Sequence, residues 1–241
     1  GAIATRLISK GFQLMVYDTV KERVDEFSGK AKTAEKPSDV LAFGDIIMLS
    51  LPGSPEVNSW VQYFLEQGVA GKYIIDLSTS YPMSSADLYT KVKNAGGNFL
   101  DAPLTGTPAG ALEGGLNAIV GGDREVYDAL QPVFEAFTKK TFHAGQAGSG
   151  DLLKLATNYL GILSTALYAE IIPMVEKLGG DYDTFFEIIS GNAINSGMFQ
   201  RIAPKIHNDN YELSFLLKHS LKDLNYVKKM FEENGFPSLM L

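Results

Sequence analysis

A lysine and an asparagine four residues apart are the side chains of this sequence best suited to chemistry. Lys154 and Asn158 lie in the segment GSGDLLKLATN, and on a helix they share one face. The apolar neighbours Leu152 and Leu155 favour a lysine pKa lowered towards neutral. The segment is not a Walker loop, because its lysine does not directly follow a glycine. A solvated surface pair is the alternative interpretation.

A loop rich in threonine, glycine and proline is the second candidate. It reads DAPLTGTPAGA over residues 101–111 and follows a predicted strand. Its backbone N–H groups and the hydroxyls of Thr105 and Thr107 are suited to holding an anion. The alternative is a turn-rich connection with no ligand.

Asp18 ends a predicted strand and is the third candidate. At this point of a dinucleotide-binding unit, a carboxylate accepts hydrogen bonds from the adenosine ribose and repels a 2′-phosphate. It could equally cap the helix predicted from Val20. Thr19 follows it, where an arginine would favour NADP, so the sequence favours NAD. The glycine-rich phosphate loop precedes such an acidic residue by about 20 residues, so we expect the first strand and that loop upstream of residue 1. This stretch alone should then bind NAD poorly.

Charged residues near the end of the chain give a weaker signal. Lys222 and Asp223 are neighbours on a predicted helix, and His219 lies one turn earlier. Charged positions on a helix are usually solvated, and nothing in the local sequence indicates otherwise.

Composition excludes several classes of protein. The 241 residues contain no cysteine and three histidines, which argues against disulfides, thiolate chemistry and a histidine or cysteine metal site. The formal net charge is −7 without a basic run, which argues against a nucleic-acid surface. Apolar runs fall short of the ~18 residues of a membrane span. We therefore expect a cytoplasmic protein that handles a small molecule.

The elements that must position these residues change character along the chain. Short runs rich in Ile, Leu and Val predict strands over 13–17, 45–51, 72–77, 98–100 and 116–120. Between them, helices are predicted over 20–27, 37–43, 55–66, 84–95 and 124–137. This alternation predicts an α/β domain with a Rossmann-type, doubly wound parallel sheet.

The second part of the chain is predicted to be all helical. Helices are expected over 152–177, with Pro173 inside, and over 182–189, 195–206 and 216–233. The glycine-rich stretch 145–150 is the natural boundary. We therefore predict a dinucleotide-binding domain over 1–148 and an all-α domain over 149–241 that begins with a long interdomain helix.

The order of these motifs resembles the β-hydroxyacid dehydrogenases, the family of 3-hydroxyisobutyrate dehydrogenase and of relatives that reduce short semialdehydes and glyoxylate. The resemblance extends from residue 1 to about residue 230. The motifs that carry it are IATRL at 3–7, VYD at 16–18, LP at 51–52, DLST at 76–79, the 101–111 loop, GG at 121–122, the 148–158 segment and KDL at 222–224.

The resemblance implies a role for each candidate. Lys154 would be the catalytic general acid and base, and Asn158 would orient the substrate. Thr105, Gly106 and Thr107 would hold the substrate carboxylate. The implied cofactor-binding residues are Asp18, Leu51, Pro52, Thr79 and Lys222, with no metal. The family further implies a homodimer or homotetramer.

Two positions depart from the family pattern. The loop usually reads Ser-Gly-Gly, whereas this chain has Thr105, Gly106 and Thr107, so the side chain at 107 occupies space near the substrate. The usual pair of asparagines is reduced to Thr157 and Asn158. The catalytic group is retained while the substrate pocket differs.

The function predicted from these features is NAD-dependent interconversion of a short 3-hydroxy acid and its semialdehyde. One alternative is an NADPH-dependent reductase of glyoxylate or succinic semialdehyde in the same family. A second is a non-catalytic module for dinucleotide binding or oligomerisation, which would have little reason to keep Lys154 and Asn158.

Overall fold

The structure is a computed structural model that describes residues 1–106, 108–210, 212 and 215–240, with the backbone alone for 108 and 109. Two compact units divide the chain, residues 1–154 and 155–241. The predicted boundary after residue 148 lies at the start of the long helix, whereas the compact units divide within that helix.

Strands and helices alternate through the first unit. The strands are β1 (Met15–Val16), β2 (Lys32–Thr33), β3 (Ile46–Leu49), β4 (Tyr73–Asp76), β5 (Asn98–Asp101), β6 (Leu104–Thr105), β7 (Leu116–Gly121) and β8 (Thr138–Gly145). The helices are α1 (Ala2–Ser9), α2 (Lys21–Asp25), α3 (Pro37–Phe43), α4 (Ser54–Gln67), α5 (Pro82–Asn94), α6 (Pro108–Glu113), α7 (Arg124–Ala129) and α8 (Gln131–Glu135). The α/β prediction is confirmed.

The main sheet is mixed, which corrects the expectation of a parallel sheet. Strands β3, β4 and β5 are parallel, and β7 runs antiparallel to β5 and β6. β5 and β6 pair with β7 in one continuous antiparallel register, as two parts of a single extended segment. Pro103, which has no N–H to donate, separates the two parts. The connection from β6 to β7 is too short for a parallel crossover, which takes about a dozen residues or more. β8 pairs in parallel with β7, and β1 and β2 form a separate two-stranded parallel sheet.

Two apolar clusters cover the opposite faces of the main sheet. Neighbouring residues on one strand point to different faces, so Ile74 and Phe99 join one cluster while Ile75 and Leu100 join the other. Helices α3, α4 and α5 contribute to the first cluster, and α1, α7 and α8 to the second. The sheet is therefore doubly wound as predicted.

Local details also differ from the prediction: the short elements β2, β6 and α6 were not predicted, and two further differences have a clear cause. The helix predicted over 124–137 is two helices, α7 and α8, because Pro132 lies in the first turn of α8 and donates no backbone hydrogen bond. Strand β8 was not predicted, since its sequence TKKTFHAG places charged residues next to one another and lacks the usual apolar run.

The second unit contains only helices among the residues that the structure describes. They are the larger part of α9 (Ser149–Lys177), then α10 (Tyr182–Ser190), α11 (Gly197–His207) and α12 (Leu217–Glu233). Ile172, Phe199 and Ala203 form the core of this unit, with aromatic side chains around them. The all-helical prediction is confirmed. By length and composition α9 could cross a membrane, but a single such helix is weak evidence of a span, because the core helix of a soluble protein has the same length and composition.

Candidate active site

Three buried aspartates occupy the end of the main sheet where the candidate segments converge. Asp76 and Asp101 are the last residues of β4 and β5 and pair directly in the strand register. Asp151 lies in the first turn of α9. All three residues are 0% exposed, a rare situation for carboxyl groups. Their sequence motifs were recognised, but their burial was not predicted.

Asp101 caps the N-terminus of α9 from a neighbouring strand. Its Oδ1 accepts the Gly148 N–H at 2.7 Å, and its Oδ2 accepts the Asp151 N–H at 3.0 Å. The Gly148 N–H directly precedes α9 and the Asp151 N–H lies in its first turn, where no helical carbonyl is available to either group. The positive end of the helix dipole also favours a carboxylate here.

Asp151 and Asp76 extend this network to the segment between β4 and α5 and to the first turn of α5. The Ser80 N–H donates to Asp151 Oδ1 at 2.9 Å, and the Ser85 hydroxyl donates to Oδ2 at 2.7 Å. The Ser80 hydroxyl and the Ser78 N–H donate to the two oxygens of Asp76 at 2.8 and 2.9 Å. Hydrogen bonds therefore run without a break from the first turn of α9 to Ser78.

Burial raises the pKa of two of these carboxyl groups. The loss of hydration raises the pKa of Asp101, against the lowering effect of the N–H donors of Gly148 and Asp151. The pKa of Asp151 lies well above its ordinary value, first because of burial and then because of the charges of Asp101 and Asp76. Close carboxyl groups in one low-dielectric site favour the protonated form.

The network reaches several residues of the predicted site in the first unit. The Leu51 N–H donates to Ser78 Oγ at 2.9 Å. Thr79 is half-buried between Ser78 and Ser80, whose backbone N–H groups are both held by aspartates. Lys154 is half-buried on α9, three residues after Asp151. The structure thus connects the segments of Leu51, Thr79 and Lys154, while the neighbouring Pro52 is exposed.

The predicted anion loop begins on β6. Thr105 is half-buried, and its hydroxyl lies 3.4 Å from the side-chain amide nitrogen of Asn117 on β7, a contact that was not predicted. Gly106 has a φ of 127°, and a Cβ there would lie 2.8 Å from Leu116 Cδ2, so glycine is required at this position. Thr107 lies outside the described residues.

Gly150 leaves the space into which the Asp101 cap fits. A Cβ at this position would meet the carbonyl oxygen of Ile119 and lie 2.8 Å from Asp101 Oδ2. We expect Gly150→Ala to lower the free energy of unfolding by about 1–3 kcal/mol, because this crowding involves backbone atoms. Gly197→Ala, at the first position of α11, meets nothing within 4 Å and is the matched control. Urea denaturation measures both, and equal stabilities would contradict the expected crowding.

Asp18 makes the local cap that its sequence allows, and its role in binding the ribose stays a prediction. It follows β1, and its Oδ1 accepts the Val20 N–H at 2.9 Å, so it does cap the turn into α2. Its Oδ2 lies 3.5 Å from Arg23 Nη1, and the carboxylate side chain is 35% exposed. The prediction from Thr19 alone did not include this arginine on the next helix.

The second unit brings Asn158 and Lys222 together at a buried carboxylate. The side-chain amide of Asn158 donates to Asp223 Oδ2 at 2.6 Å. Lys222 Nζ lies 3.2 Å from Asp223 Oδ1, an ion-pair distance without hydrogen-bond alignment. Asp223 is 2% exposed, so the expectation of a solvated pair at 222 and 223 was wrong for the aspartate. Its burial follows from helix packing that the local sequence does not reveal.

The two leucines expected to surround Lys154 differ in their burial. Leu155 is fully buried as expected, whereas Leu152 is 46% exposed. Among the residues that the structure describes, no group of three or more His, Asp or Glu side chains is placed to hold a metal ion. The carboxyl groups of Asp76, Asp101 and Asp151 are instead engaged with N–H and O–H donors.

Comparisons with known proteins agree with this architecture. Residues 1–145 match the family model of the NAD-binding domain of 6-phosphogluconate dehydrogenase. Residues 148–241 match the model described as NAD-binding of NADP-dependent 3-hydroxyisobutyrate dehydrogenase. An uncharacterized oxidoreductase of Synechocystis is 31% identical over 99% of this chain and 84% of its own length. Glyoxylate/succinic semialdehyde reductase 1 of Arabidopsis thaliana is 28% identical over 97% of this chain and 82% of its own.

A solved structure gives the same result for the fold. Mycobacterium tuberculosis 3-hydroxyisobutyrate dehydrogenase with L-serine superposes with a TM-score of 0.92, covering 99% of this chain and 84% of its own, at 22% identity. The fold and the family models define an NAD(P)-dependent oxidoreductase. The chain belongs to the β-hydroxyacid dehydrogenase family.

Proposed function

We propose that this protein interconverts a short 3-hydroxy acid and its semialdehyde, with Lys154 as the general acid and base. The observation that carries the proposal is the hydrogen-bonded network that joins the helix of Lys154 to the segments of Leu51 and Thr79. These segments follow β3 and β4, at the carboxyl edge where open α/β sheets bind their ligands. The reductase named among the relatives supports this substrate class.

The residues of the site fit a nicotinamide cofactor. Asp18 presents a partly exposed carboxylate at the end of β1, suited to ribose hydroxyls. Leu51, Pro52 and Thr79 would line the nicotinamide ribose. The cofactor, when bound, supplies the hydride acceptor or donor. Lys222 is proposed as a further cofactor-binding residue.

The protein's part in the reaction is a proton transfer and the orientation of the substrate. In the oxidation direction, Lys154 Nζ accepts the hydroxyl proton while the carbinol carbon loses a hydride and the carbonyl forms. In reduction the lysine returns that proton. Thr105 and Gly106, together with Thr107, would hold the substrate carboxylate, and Asn158 would orient the reacting end. Asp223 fixes the amide of Asn158 by its hydrogen bond.

A substrate panel tests the proposal. The full-length protein is assayed by nicotinamide absorbance with 3-hydroxyisobutyrate and other 3-hydroxy acids, and with succinic semialdehyde and glyoxylate, using NAD(H) and NADP(H). Turnover of 3-hydroxy acids with NAD supports the proposal. Turnover of glyoxylate or succinic semialdehyde alone, with NADPH, selects the reductase alternative. Cofactor binding without any turnover contradicts the proposal and favours a dinucleotide-binding or oligomerisation module.

Asp18 is proposed to select NAD over NADP. We expect Asp18→Ser to lower kcat/KM for NAD by about 10-fold or more, because a charge-assisted hydrogen bond to the ribose is lost. The same change should raise kcat/KM for NADP, since the repulsion of a 2′-phosphate ends and Arg23 loses its carboxylate partner. Asp25→Asn is the control, because Asp25 pairs with Lys21 on the surface of α2, the helix that carries Arg23. An unchanged NAD to NADP ratio would contradict this assignment.

The exposed apolar side chains of helix α9 support the proposal of a homodimer or homotetramer. Leu153, Leu160, Leu167 and Met174 recur every seven residues on α9, and each is exposed, with Leu160 at 66%. A cavity of about 600 Å³ lies beside this stripe, lined by Leu167, Met174 and aromatic residues of α10 and α11. An apolar stripe at this spacing matches the seam between packed helices. Light scattering of the full-length protein tests the proposal, and a monomer would contradict it.

We propose that the enzyme is located in the cytoplasm.

A further inference from the structure

We propose that Asp151 is a positioning residue for Lys154: it fastens the first turn of α9 to the segment that contains Thr79. The proposal rests on the role proposed for Lys154. It is carried by the bonds from the Ser80 N–H and the Ser85 hydroxyl to the two oxygens of Asp151, at 2.9 and 2.7 Å.

The helix itself does not need Asp151 as a cap. Asp101 already accepts the N–H groups of Gly148 and Asp151 at the start of α9. The carboxyl group of Asp151 accepts hydrogen bonds from Ser80 and Ser85 instead, outside its own helix. Its side chain is therefore a link between two segments.

The hydrogen bonds of Asp151 join two segments that each carry a residue of the proposed site, Lys154 in one and Thr79 in the other. Lys154 follows Asp151 by three residues, slightly less than one helical turn, so the two share a side of α9. On the other side of the link, Ser80 directly follows Thr79, and the Ser80 hydroxyl also donates to Asp76. A shift of this contact would move the proposed proton-transferring lysine relative to the proposed nicotinamide-ribose residue.

Burying this carboxyl group is costly for stability. A third carboxyl group placed at 0% exposure beside Asp76 and Asp101 adds desolvation and repulsion that an apolar residue would avoid. Burial and these neighbours raise the pKa of Asp151 well above its ordinary value, which favours the uncharged form. Strongly perturbed buried groups of this kind cluster at functional sites. Asparagine is then a close mimic of the group in shape and charge.

The experiment compares Asp151→Ala, Asp151→Asn and Ser85→Ala in the full-length protein. We expect D151A to lower kcat by about 100-fold, the scale for an ~1 Å misplacement of a catalytic group, with KM and cofactor affinity changed little. D151N should recover most of kcat, because its amide oxygen can still accept the Ser80 N–H. S85A should lower kcat less, and the double variant S85A/D151A should resemble D151A, because both changes remove the same bond.

A second measurement follows the hydrogen bond from the Ser80 N–H to Asp151 directly and does not depend on enzyme activity. Amide hydrogen exchange at Ser80 should become faster in D151A and remain slow in D151N. Asp87→Asn, on the exposed face of α5 with Lys91 as its partner, is the control and should change neither readout.

The outcomes separate the two proposals. If K154M abolishes turnover while folded D151A keeps the wild-type kcat, Asp151 is only structural and the present inference fails. If K154M itself keeps turnover, the proposed role of Lys154 fails. If D151A does not fold, D151N and S85A decide the matter. The inference then requires that the wild type have the highest kcat, with D151N and S85A both lower. It also requires that the Ser80 amide remain slow to exchange in D151N. A different order overturns it.

Discussion

Replacing Lys154 by methionine is expected to lower kcat by about 100- to 10,000-fold, the usual contribution of a general acid or base. Methionine keeps much of the length and apolar stem of lysine but has no exchangeable proton. The half-buried position of Lys154 next to the aspartate network should therefore be preserved. Cofactor affinity, followed by quenching of tryptophan emission, should change little because the lysine acts on the substrate hydroxyl.

Lys177 provides the control for this substitution. It is an exposed lysine in the last turn of the same helix α9. Lys177→Met should keep the wild-type kcat and KM. Equal activities of the two variants would contradict the assignment of Lys154. A loss confined to KM would indicate that Lys154 binds the substrate and does not transfer a proton.

Removal of the Asp101 carboxyl group should cause the largest loss of stability. Asp101→Ala leaves the N–H groups of Gly148 and Asp151 without an acceptor in a buried setting, at a cost of about 1–3 kcal/mol for each. We therefore expect the free energy of unfolding to fall by several kcal/mol in urea titrations. Asp128→Asn removes an exposed pair with Arg124 and should cost under about 1 kcal/mol. Comparable losses in both variants would contradict the capping role.

Stability should also depend on pH through Asp101 and Asp151. Their pKa values are raised in the folded state, so the folded protein binds more protons than the unfolded chain above the ordinary aspartate value of 3.8. Their contribution is fully present below that value and is lost as the pH rises through the raised pKa. D151N should therefore flatten the fall in unfolding free energy with rising pH. An identical slope in the variant would contradict the raised pKa of Asp151.

The sequence predicted those features that depend on local patterns. Apolar strands alternating with amphipathic helices predicted the doubly wound sheet, and the loss of that alternation near residue 149 predicted the helical unit. The antiparallel β7 was missed, although the short connection after Thr105 was a usable signal, since a parallel crossover needs more chain.

The network of buried aspartates could be predicted only in part. Asp76 and Asp101 each end an apolar strand, and paired strand ends bring such residues together. Asp151 gave no such signal, because its burial results from α9 packing against segments some 66 and 71 residues away in the chain. In the same way, the bond of Asn158 to Asp223 joins residues 65 positions apart and depends on packing between helices, whereas the ion pair of Asp18 with Arg23 is local. Spacing along the chain identified the segments, while tertiary structure determined which atoms meet.

Transfer of a deuterium label is the most direct test of the central claim. The full-length protein is incubated with NAD and with 3-hydroxy acids deuterated at the carbinol carbon, and the reduced cofactor is analysed by NMR. The proposed function predicts that deuterium appears on the nicotinamide ring, with one product semialdehyde for each reduced cofactor, and that K154M gives almost none. Bound cofactor that gains no deuterium from any 3-hydroxy acid would contradict the claim.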